Sequence, residues 1–134
     1  MQAVVHKGAV QGLDAAGIER VFAGNGWTNA WRNGVFDYDH YHGNTHEVLG
    51  CYAGRARLRL GGPQGEVAEI GAGDVVVIPA GLAHCRLDAA PGFGVVGAYP
   101  GGAEPDLRRG PGEAIDHPRP AADPVLGPGR GFAA

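Results

Sequence analysis

Three histidines and one glutamate lie within eight residues of each other in the segment that runs from His40 to Glu47. Successive side chains of a β-strand point to opposite faces, so the spacing of His40 and His42 sends both imidazoles to one side. Two imidazoles at this spacing reach a single metal ion. The dipeptide Gly43–Asn44 predicts a turn, and a hairpin built on this turn brings Glu47 back beside the two rings. The segment therefore predicts a His/His/Glu metal site with open coordination positions.

The elements that must position this segment are short β-strands. Apolar runs and alternating patterns predict strands that follow one another about every eight to twelve residues, with no helix between them. The predicted strands cover residues 35–42, 46–52, 55–60, 66–70, 75–78, 82–87 and 93–99. This spacing is typical of an all-β sandwich or barrel, and it excludes the βαβ pattern of nucleotide-binding folds.

At 134 residues the chain is long enough for one hydrophobic core and one domain. Its 25 glycines and 10 prolines fall mainly between the apolar runs, as expected for many short strands joined by turns. We divide the domain into an N-terminal segment (1–33), a barrel (34–99) and a tail (100–134). The tail is rich in proline and glycine and has no periodicity, so it is predicted to be irregular, lying across the barrel surface or partly disordered.

The N-terminal segment contains one predicted helix and two tryptophans. The apolar spacing around Ile18 and Phe22 is helical, and Gly24–Gly26 ends the helix. Trp27 and Trp31 follow, four residues apart. They form either a stacking platform for a ligand or a seal at one end of the barrel. The burial of large aromatic side chains in small domains favours the seal.

The charge of the chain restricts its partners. A net charge of −3 and an isoelectric point near 6.0 provide neither a basic patch nor a basic tail, which argues against nucleic acids and anionic membranes as partners. No stretch approaches the apolar length of a membrane span, and the first ten residues lack the apolar run of a signal peptide. We therefore expect a cytoplasmic protein. Cys51 and Cys85 form no CxxC pair and are expected to be reduced thiols.

The alternative for the His40–Glu47 segment is that its histidines are ordinary polar strand residues and that Glu47 is a surface charge. Burying imidazoles and a carboxylate in an apolar barrel without a metal ion would leave polar atoms unpaired, at a cost of several kcal/mol. A metal ion removes this cost, which favours the metal site. Strand parity places His46 on the face opposite Glu47, so we expect His46 to point away from the metal.

The spacing of these residues resembles the two-part signature of the cupin superfamily. The matching positions are Gly34, His40, His42, Glu47, Gly54, Gly73, Pro79, Gly81 and His84. One position departs from the pattern, since Asp88 stands where the signature has asparagine. The resemblance is to small bacterial single-domain cupins of unassigned reaction. It implies a double-stranded β-helix, or jelly-roll, barrel and a frequent habit of forming dimers.

The resemblance also implies the ligand set, in which His40, His42, Glu47 and His84 hold one divalent transition metal ion inside the barrel. A mixed set of imidazoles and a carboxylate suits Fe, Mn, Ni, Co, Cu or Zn and does not distinguish among them. Four protein ligands around an octahedral ion leave positions open for water, substrate or dioxygen. Such an ion acts as a Lewis acid, or as a redox centre if it is iron or copper.

Three further side chains are candidates for contact with a small molecule near the metal. Phe36 and Tyr38 share the strand face of the histidines. Arg86 shares a face with His84, where its guanidinium can bind a substrate carboxylate bidentately. The alternatives are that the two aromatic residues belong to the barrel core and that Arg86 reaches solvent.

Three classes of function agree with these features. The first is a metal-dependent enzyme, of oxygenase or isomerase type, acting on a small organic molecule. The second is a module that binds or senses a small molecule without turnover, and the third is a protein with a closed, structural metal site. Open positions on a buried metal favour the first class, by analogy with cupin enzymes. Exposed sheet edges and an aromatic N-terminal segment also predict a homodimer.

Overall fold

Two five-stranded antiparallel sheets form the body of the computed structural model, which describes residues Met1–Ala134. The strands are β1 Val4–His6, β2 Trp27–Asn33, β3 His40–Tyr41, β4 Glu47–Ala53, β5 Arg55–Leu60, β6 Glu66–Gly71, β7 Val75–Ile78, β8 His84–Ala89, β9 Gly94–Pro100, β10 Arg108–Arg109, β11 Ala122–Asp123 and β12 Gly127–Pro128. Sheet A has the order β1-β7-β4-β9-β2, and sheet B has the order β10-β3-β8-β5-β6. Strands β11 and β12 form a separate ribbon. The predicted all-β jelly-roll class is confirmed.

Both faces of sheet A are buried, which explains the nearly continuous apolar runs of its central strands. On β4 the side chain of Leu49 points into a cluster between the two sheets, together with Leu58 and Ile70 of sheet B. The neighbouring Val48 points the other way, into a second cluster beneath the helix. The alternation of strand side chains therefore builds one core inside the barrel and another outside sheet A.

The helix α1 spans Ala15–Gly24 and covers the outer face of sheet A. It begins after Asp14, whose carboxylate accepts a hydrogen bond of 2.8 Å from the N–H of Gly17 and so caps the first turn. Ile18 and Phe22 are fully buried, as their spacing predicts. Both lie over Gly50 of β4, where an added Cβ would come within 2.7 Å of each side chain. No helix has the length and apolar character needed to cross a membrane.

The segment that carries the first histidines differs from the prediction. A strand was expected over residues 35–42, but only His40–Tyr41 is a strand. The rest of the segment makes isolated backbone hydrogen bonds, such as those that the carbonyls of Phe36 and His42 accept from the N–H groups of Arg86 and Gly81. Both partners lie in the segment around β8, and these bonds flank the single β3–β8 pair of His40 with His84, so the pairing is too irregular to extend the strand over residues 35–42.

The hairpin predicted at Gly43–Asn44 is wrong. Strand β3 pairs with β8 and β10 in sheet B, whereas β4 pairs with β7 and β9 in sheet A. The turn therefore carries the chain from one sheet to the other instead of joining two paired strands. Glu47 reaches the histidines across the barrel interior, because the two sheets face each other there.

Strand β2 was missed in the sequence because most of its residues are polar and exposed. It lies at the edge of sheet A, beside β9, and its pairing shifts between Thr28 and Trp31. Asn29 sits in this irregular stretch with a φ of 59°. A bulged, polar edge strand lacks the alternation that marks the other strands.

The tail contains little regular structure beyond β10, the β11–β12 ribbon and a 3-10 turn at Gly131–Ala133. It is nevertheless tied to the barrel. Phe132 is buried in the cluster beneath the helix. The carboxylate of Asp123 is fully buried and accepts hydrogen bonds from the backbone N–H groups of Val125, Leu126 and Phe132.

Candidate metal centre

Three of the four predicted ligands meet at one point inside the barrel. His42 follows β3, Glu47 begins β4 and His84 begins β8, so both sheets contribute. Oε1 of Glu47 lies 3.4 Å from Nε2 of His42 and 3.2 Å from Nε2 of His84. One ligand atom from each of the three lies within 4.8 Å of the others. All three residues are buried, and this arrangement is a candidate site for a metal ion.

His40 lies beside this group but is not part of the set whose ligand atoms all lie within 4.8 Å of one another. Its ring centroid is 4.0 Å from that of His84 and 6.3 Å from that of His42. The pairing of β3 with β8 sets His40 opposite His84, which explains the close approach of these two rings. The structure thus places His40 in the same cavity wall, one step further from Glu47.

The imidazoles are oriented by backbone carbonyls through their Nδ1 atoms. Nδ1 of His40 lies 2.9 Å from the carbonyl oxygen of Tyr38, Nδ1 of His42 lies 2.5 Å from that of Asp106, and Nδ1 of His84 lies 3.4 Å from that of Leu82. A carbonyl oxygen only accepts hydrogen bonds, so Nδ1 carries the hydrogen in each ring and Nε2 remains free. Metal-binding histidines are commonly held in this way.

The free Nε2 atoms explain why a cation fits this site. In their neutral form, His42 and His84 turn Nε2 acceptors toward the Glu47 carboxylate, which is itself an acceptor. Acceptors that converge without a donor between them need a cation, either a proton or a metal ion. The donor set of imidazole nitrogen and carboxylate oxygen therefore suits a divalent transition metal.

The pKa values of the same groups follow from burial and mutual contact. Burial raises the pKa of the Glu47 carboxyl, but hydrogen bonds with His42 and His84 outweigh burial and hold this pKa well below its usual range. Burial lowers the pKa of His42, yet the Glu47 carboxylate more than offsets this effect, so the pKa of His42 is raised. Burial and the nearby charge of His84 lower the pKa of His40 to about 4.

His46 lies away from the other three histidines, as strand parity predicts. Its Nδ1 accepts a hydrogen bond of 2.9 Å from the N–H of Ala80, and its Nε2 lies 2.8 Å from the carbonyl oxygen of Pro118. Its ring packs against His117 and Phe132 on the tail. With both nitrogens engaged by the backbone, His46 joins the tail to the barrel and offers no lone pair to a metal.

Replacing His46 should therefore affect stability and not metal binding. His46→Ala leaves the buried N–H of Ala80 without a partner and opens a cavity, so we expect a loss of about 3 kcal/mol in the free energy of unfolding. The metal content of the folded variant should equal that of the wild type. Urea unfolding and metal analysis of the same preparation measure both effects. A folded His46→Ala protein that has lost its metal would contradict this assignment.

A cavity of about 640 Å³ opens onto the predicted ligands. This volume falls in the range of small-molecule sites. Of the three side chains predicted to contact a substrate, Phe36 and Arg86 line the cavity. Tyr38 does not line it, and instead stacks on Phe36 at a centroid distance of 5.0 Å beneath the guanidinium of Arg109. The lining residues are Trp31, Arg32, Asn33, Gly34, Val35, Phe36, Asp37, His40, His42, Glu47, Leu49, His84, Arg86, Tyr99, Pro105, Asp106 and Leu107.

Two aromatic residues of this cavity were not predicted as site residues. Trp31 lines the cavity, and its Nε1–H donates a hydrogen bond of 2.7 Å to the hydroxyl of Tyr99. The seal and the stacking platform were the two roles predicted for the tryptophans. Trp27 is buried in the cluster beneath the helix and donates to the carbonyl of Ala122, whereas Trp31 packs against the cluster between the sheets and lines the cavity. Burial and the nearby Glu47 carboxylate raise the pKa of the Tyr99 hydroxyl, so Tyr99 keeps its proton.

The tail forms one wall of the cavity through residues 105–107. The turn at Gly43–Asn44 holds this wall in place. Oδ1 of Asp106 accepts a hydrogen bond of 2.6 Å from the N–H of Gly43, and the side chain of Asn44 bonds to the carbonyl of Glu104 and the N–H of Asp106. Because the carbonyl of Asp106 also orients His42, the tail contributes to both the cavity and the ligand geometry.

Solved structures match this chain only at low sequence identity. A double mutant of the QdtA 3,4-ketoisomerase from Thermoanaerobacterium thermosaccharolyticum, in complex with TDP, is 21% identical with a TM-score of 0.46, covering 55% of this chain and 58% of that chain. An acireductone dioxygenase from Bacillus anthracis, with a cadmium ion in its active centre, is 20% identical with a TM-score of 0.44, covering 61% and 55%. The chain thus spans little more than half of either enzyme.

The family is shown by two sequence comparisons. Over 132 residues the chain is 41% identical to the uncharacterized protein YjlB of Bacillus subtilis (strain 168), an alignment that covers 92% of this chain and 79% of YjlB. Residues 32–98 match the family model described as Cupin. These residues run from the end of β2 into β9 and include every predicted ligand, so the resemblance seen in the signature is confirmed and the chain belongs to the cupin family.

Proposed function

We propose that this protein is a metal-dependent enzyme, of oxygenase or isomerase type, that acts on a small organic molecule bound in the cavity. The observation that carries the proposal is the position of the candidate ligands. His42, Glu47 and His84 converge acceptor atoms without a donor between them, and all three line a cavity large enough for a small molecule. A metal ion held there would face the cavity with positions open to water and substrate.

His40, His42, Glu47 and His84 are the residues proposed to hold one divalent transition metal. The metal supplies Lewis acidity, or redox chemistry if it is iron or copper. Glu47 contributes a carboxylate that stays ionised, since its pKa is held low. Three backbone carbonyls fix the imidazole orientations.

Tyr99 is the proposed hydrogen-bond donor of the cavity. Its hydroxyl accepts the Nε1–H of Trp31, so the hydroxyl hydrogen is directed elsewhere, toward Glu47 and the interior of the cavity. Its raised pKa keeps the hydroxyl protonated at neutral pH. Leu49 and Val35 line the same space and exclude water from the side of the cavity that faces the core.

A binding or sensing module without turnover is the second candidate. The observation that favours it is the guanidinium of Arg86, which lines the cavity and makes no hydrogen bond to the protein. A cation placed there captures an anionic ligand whether or not a reaction follows. A redox-inactive metal that stays bound together with an unchanged ligand would distinguish this candidate from an enzyme.

Metal analysis combined with a water-exchange measurement tests the proposal. We expect protein purified without added metal salts to carry a transition metal. We also expect protein reloaded with Mn²⁺ to enhance the relaxation of bulk water protons, because water on an open coordination position exchanges with solvent. His46→Ala is the matched control with unchanged metal. A tightly bound metal without exchangeable water would overturn the proposal in favour of a structural site.

Two further expectations stay predictions, namely assembly as a homodimer and a cytoplasmic location.

A further inference from the structure

We propose that the cavity takes a small, planar carboxylate whose flat apolar body lies on Trp31 and whose carboxylate pairs with Arg86. The inference rests on the proposed function, since it treats the cavity beside the ligands as the substrate site. It narrows the substrate class from small organic molecules in general to aromatic or similarly flat acids. Four observations of the cavity lining carry it.

The first observation is the state of Arg86. It lies on β8 two residues after His84, so both side chains share the inner face of sheet B. Its nearest carboxylate is Oδ2 of Asp37 at 3.9 Å, which is beyond hydrogen-bonding distance, and the Asp37 side chain is 72% exposed. The guanidinium therefore has all its donors available to a ligand, and a carboxylate matches their fork geometry.

The second observation is that the other charged groups of the cavity, apart from the exposed Asp37, are already paired. Arg32 donates two hydrogen bonds, of 3.0 and 2.8 Å, to the carboxylate of Glu19 outside the cavity. Asp106 accepts hydrogen bonds from the N–H of Gly43 and from Nε of Arg108. Glu47 lies within the candidate metal centre. Arg86 is thus the cavity cation left without a close partner, and it selects an anion.

The third observation is the fixed position of Trp31. In the pairing of β2 with β9, Trp31 lies opposite Gly97, where an added Cβ would come within 2.1 to 2.5 Å of three atoms of the indole ring. The ring therefore lies directly over the Gly97 backbone. The hydrogen bond from its Nε1 to Tyr99 fixes its rotation. A rigid indole with one face against the strand presents the other face to a flat ligand.

The fourth observation is the apolar character of the remaining lining. Val35, Leu49 and Leu107 surround the cavity, and Phe36 stands at its edge with half of its surface exposed. Asn33 also lines the cavity, but its side-chain oxygen already accepts the N–H of Gly34. A sugar would need many free polar partners, and the cavity offers few. An apolar ring fits this lining better than a polyol.

Benzoate is the probe that tests this inference, with benzamide as its neutral analogue of the same shape and cyclohexanecarboxylate as its non-planar analogue. We expect calorimetric titration to show binding in the order benzoate, cyclohexanecarboxylate, benzamide. Arg86→Gln should weaken benzoate binding about 10-fold and leave benzamide binding unchanged, because only the charged contact is lost. Arg86→Lys, which keeps the charge and loses the fork, should fall between the wild type and Arg86→Gln.

Two further variants sharpen the test. Arg32→Gln is the matched control, since its guanidinium is committed to Glu19, and it should change benzoate affinity less than about 2-fold. Trp31→Leu should weaken benzoate about 3- to 10-fold by loss of stacking, and should weaken cyclohexanecarboxylate less. Equal binding of benzoate and benzamide, or equal effects of Arg86→Gln and Arg32→Gln, would overturn the inference.

The titrations are made on metal-loaded protein and on chelated protein. The results then distinguish failure of the proposed enzyme from failure of the planar carboxylate site. Binding of benzoate that depends on Arg86, in a protein that retains no metal, would support the planar carboxylate site and overturn the proposed enzyme. Metal binding without selection of benzoate over benzamide would overturn the substrate class alone.

Discussion

Glu47→Gln is expected to reduce metal affinity at least about 100-fold while leaving the barrel folded, because it removes the one anionic ligand of the site. The carboxylate is buried between His42 and His84, with its Oε1 at 3.4 and 3.2 Å from their Nε2 atoms. Glutamine keeps the size of the side chain but provides neither the charge nor a second oxygen. Metal content after dialysis, together with circular dichroism, measures both parts of this expectation.

Glu69→Gln is the matched control for this experiment. Glu69 lies on β6 with an exposed side chain and faces Arg55 at 3.6 Å, far from the ligands, so its replacement should leave the metal content unchanged. The four-ligand set also implies a loss of metal with His40→Ala. A Glu47→Gln protein with normal metal content would contradict the site, whereas a His40→Ala protein that keeps its metal would reduce the set to His42, Glu47 and His84.

Chelation is expected to lower the melting temperature on the order of 10 °C without removing the β-sheet signal. The barrel has two hydrophobic clusters that are complete without the metal, unlike small domains that depend on a metal for their core. Metal binding to the folded state alone still adds about 2.7 kcal/mol when the free metal is at about 100 times its dissociation constant. Loss of the sheet signal on chelation at neutral pH would show that the metal is structural.

The stabilisation by metal should disappear as the pH falls, and the pKa of His42 determines the pH range in which this happens. Metal binding requires neutral imidazoles. The pKa of His42 is raised, so a proton competes with the metal there already above about 6.5. The pKa of His40 is lowered to about 4, so this ring stays neutral at pH 5. Protonation of His42 beside Glu47 also stabilises the metal-free fold. This stabilisation is fully present below about pH 6.5 and is lost as the pH rises through the raised pKa of His42.

Both effects bring the stability of chelated protein closer to that of untreated protein at low pH. The melting temperatures of chelated and untreated protein should differ at pH 8 and converge toward about pH 5. Glu47→Gln, dialysed until its metal is lost, serves as the control, because a metal-free protein should melt at the same temperature with and without chelator. A difference that persists unchanged at pH 5 would contradict the role given to His42.

The sequence predicted the fold class because the apolar runs and turn residues agree with each other along most of the barrel. The strands at 55–60 and 75–78 have the predicted bounds, since Arg55–Leu60 alternates and Val75–Ile78 is buried on both faces. The helix was found through the spacing of Ile18 and Phe22. These signals are local, so each can be recognised without knowledge of what the element packs against.

The proximity of Glu47 to the histidines was predicted by an argument that the structure corrects. The residue types and their spacing pointed to the right part of the chain, but the hairpin at Gly43–Asn44 does not exist. Glu47 approaches His42 from the opposite sheet, and a turn between sheets has the same residue preferences as a turn within one. Turn chemistry alone does not determine which strands pair.

Tyr99 was missed, and the stacking role of Trp31 was considered but not favoured, because the positions of both residues depend on pairing between distant strands. Trp31 enters the cavity since it lies opposite Gly97, where the absence of a side chain leaves room for the indole. Nothing near either residue in the sequence indicates this pairing. The same holds for Asp106, which lies 64 residues from the His42 ring that its carbonyl orients.

The wall formed by residues 105–107 lies outside the part of the chain that matches the cupin family, which ends at residue 98. Substitutions of the side chains of Pro105 and Leu107 can reshape the cavity while the hydrogen-bonded ladders of both sheets remain as they are. Under the proposed function, a change of substrate preference can therefore arise from side chains outside the segment that defines the family. Relatives that share the four proposed ligand positions but differ in this tail segment are therefore expected to bind different small molecules, and a comparison of the barrel alone would not separate them.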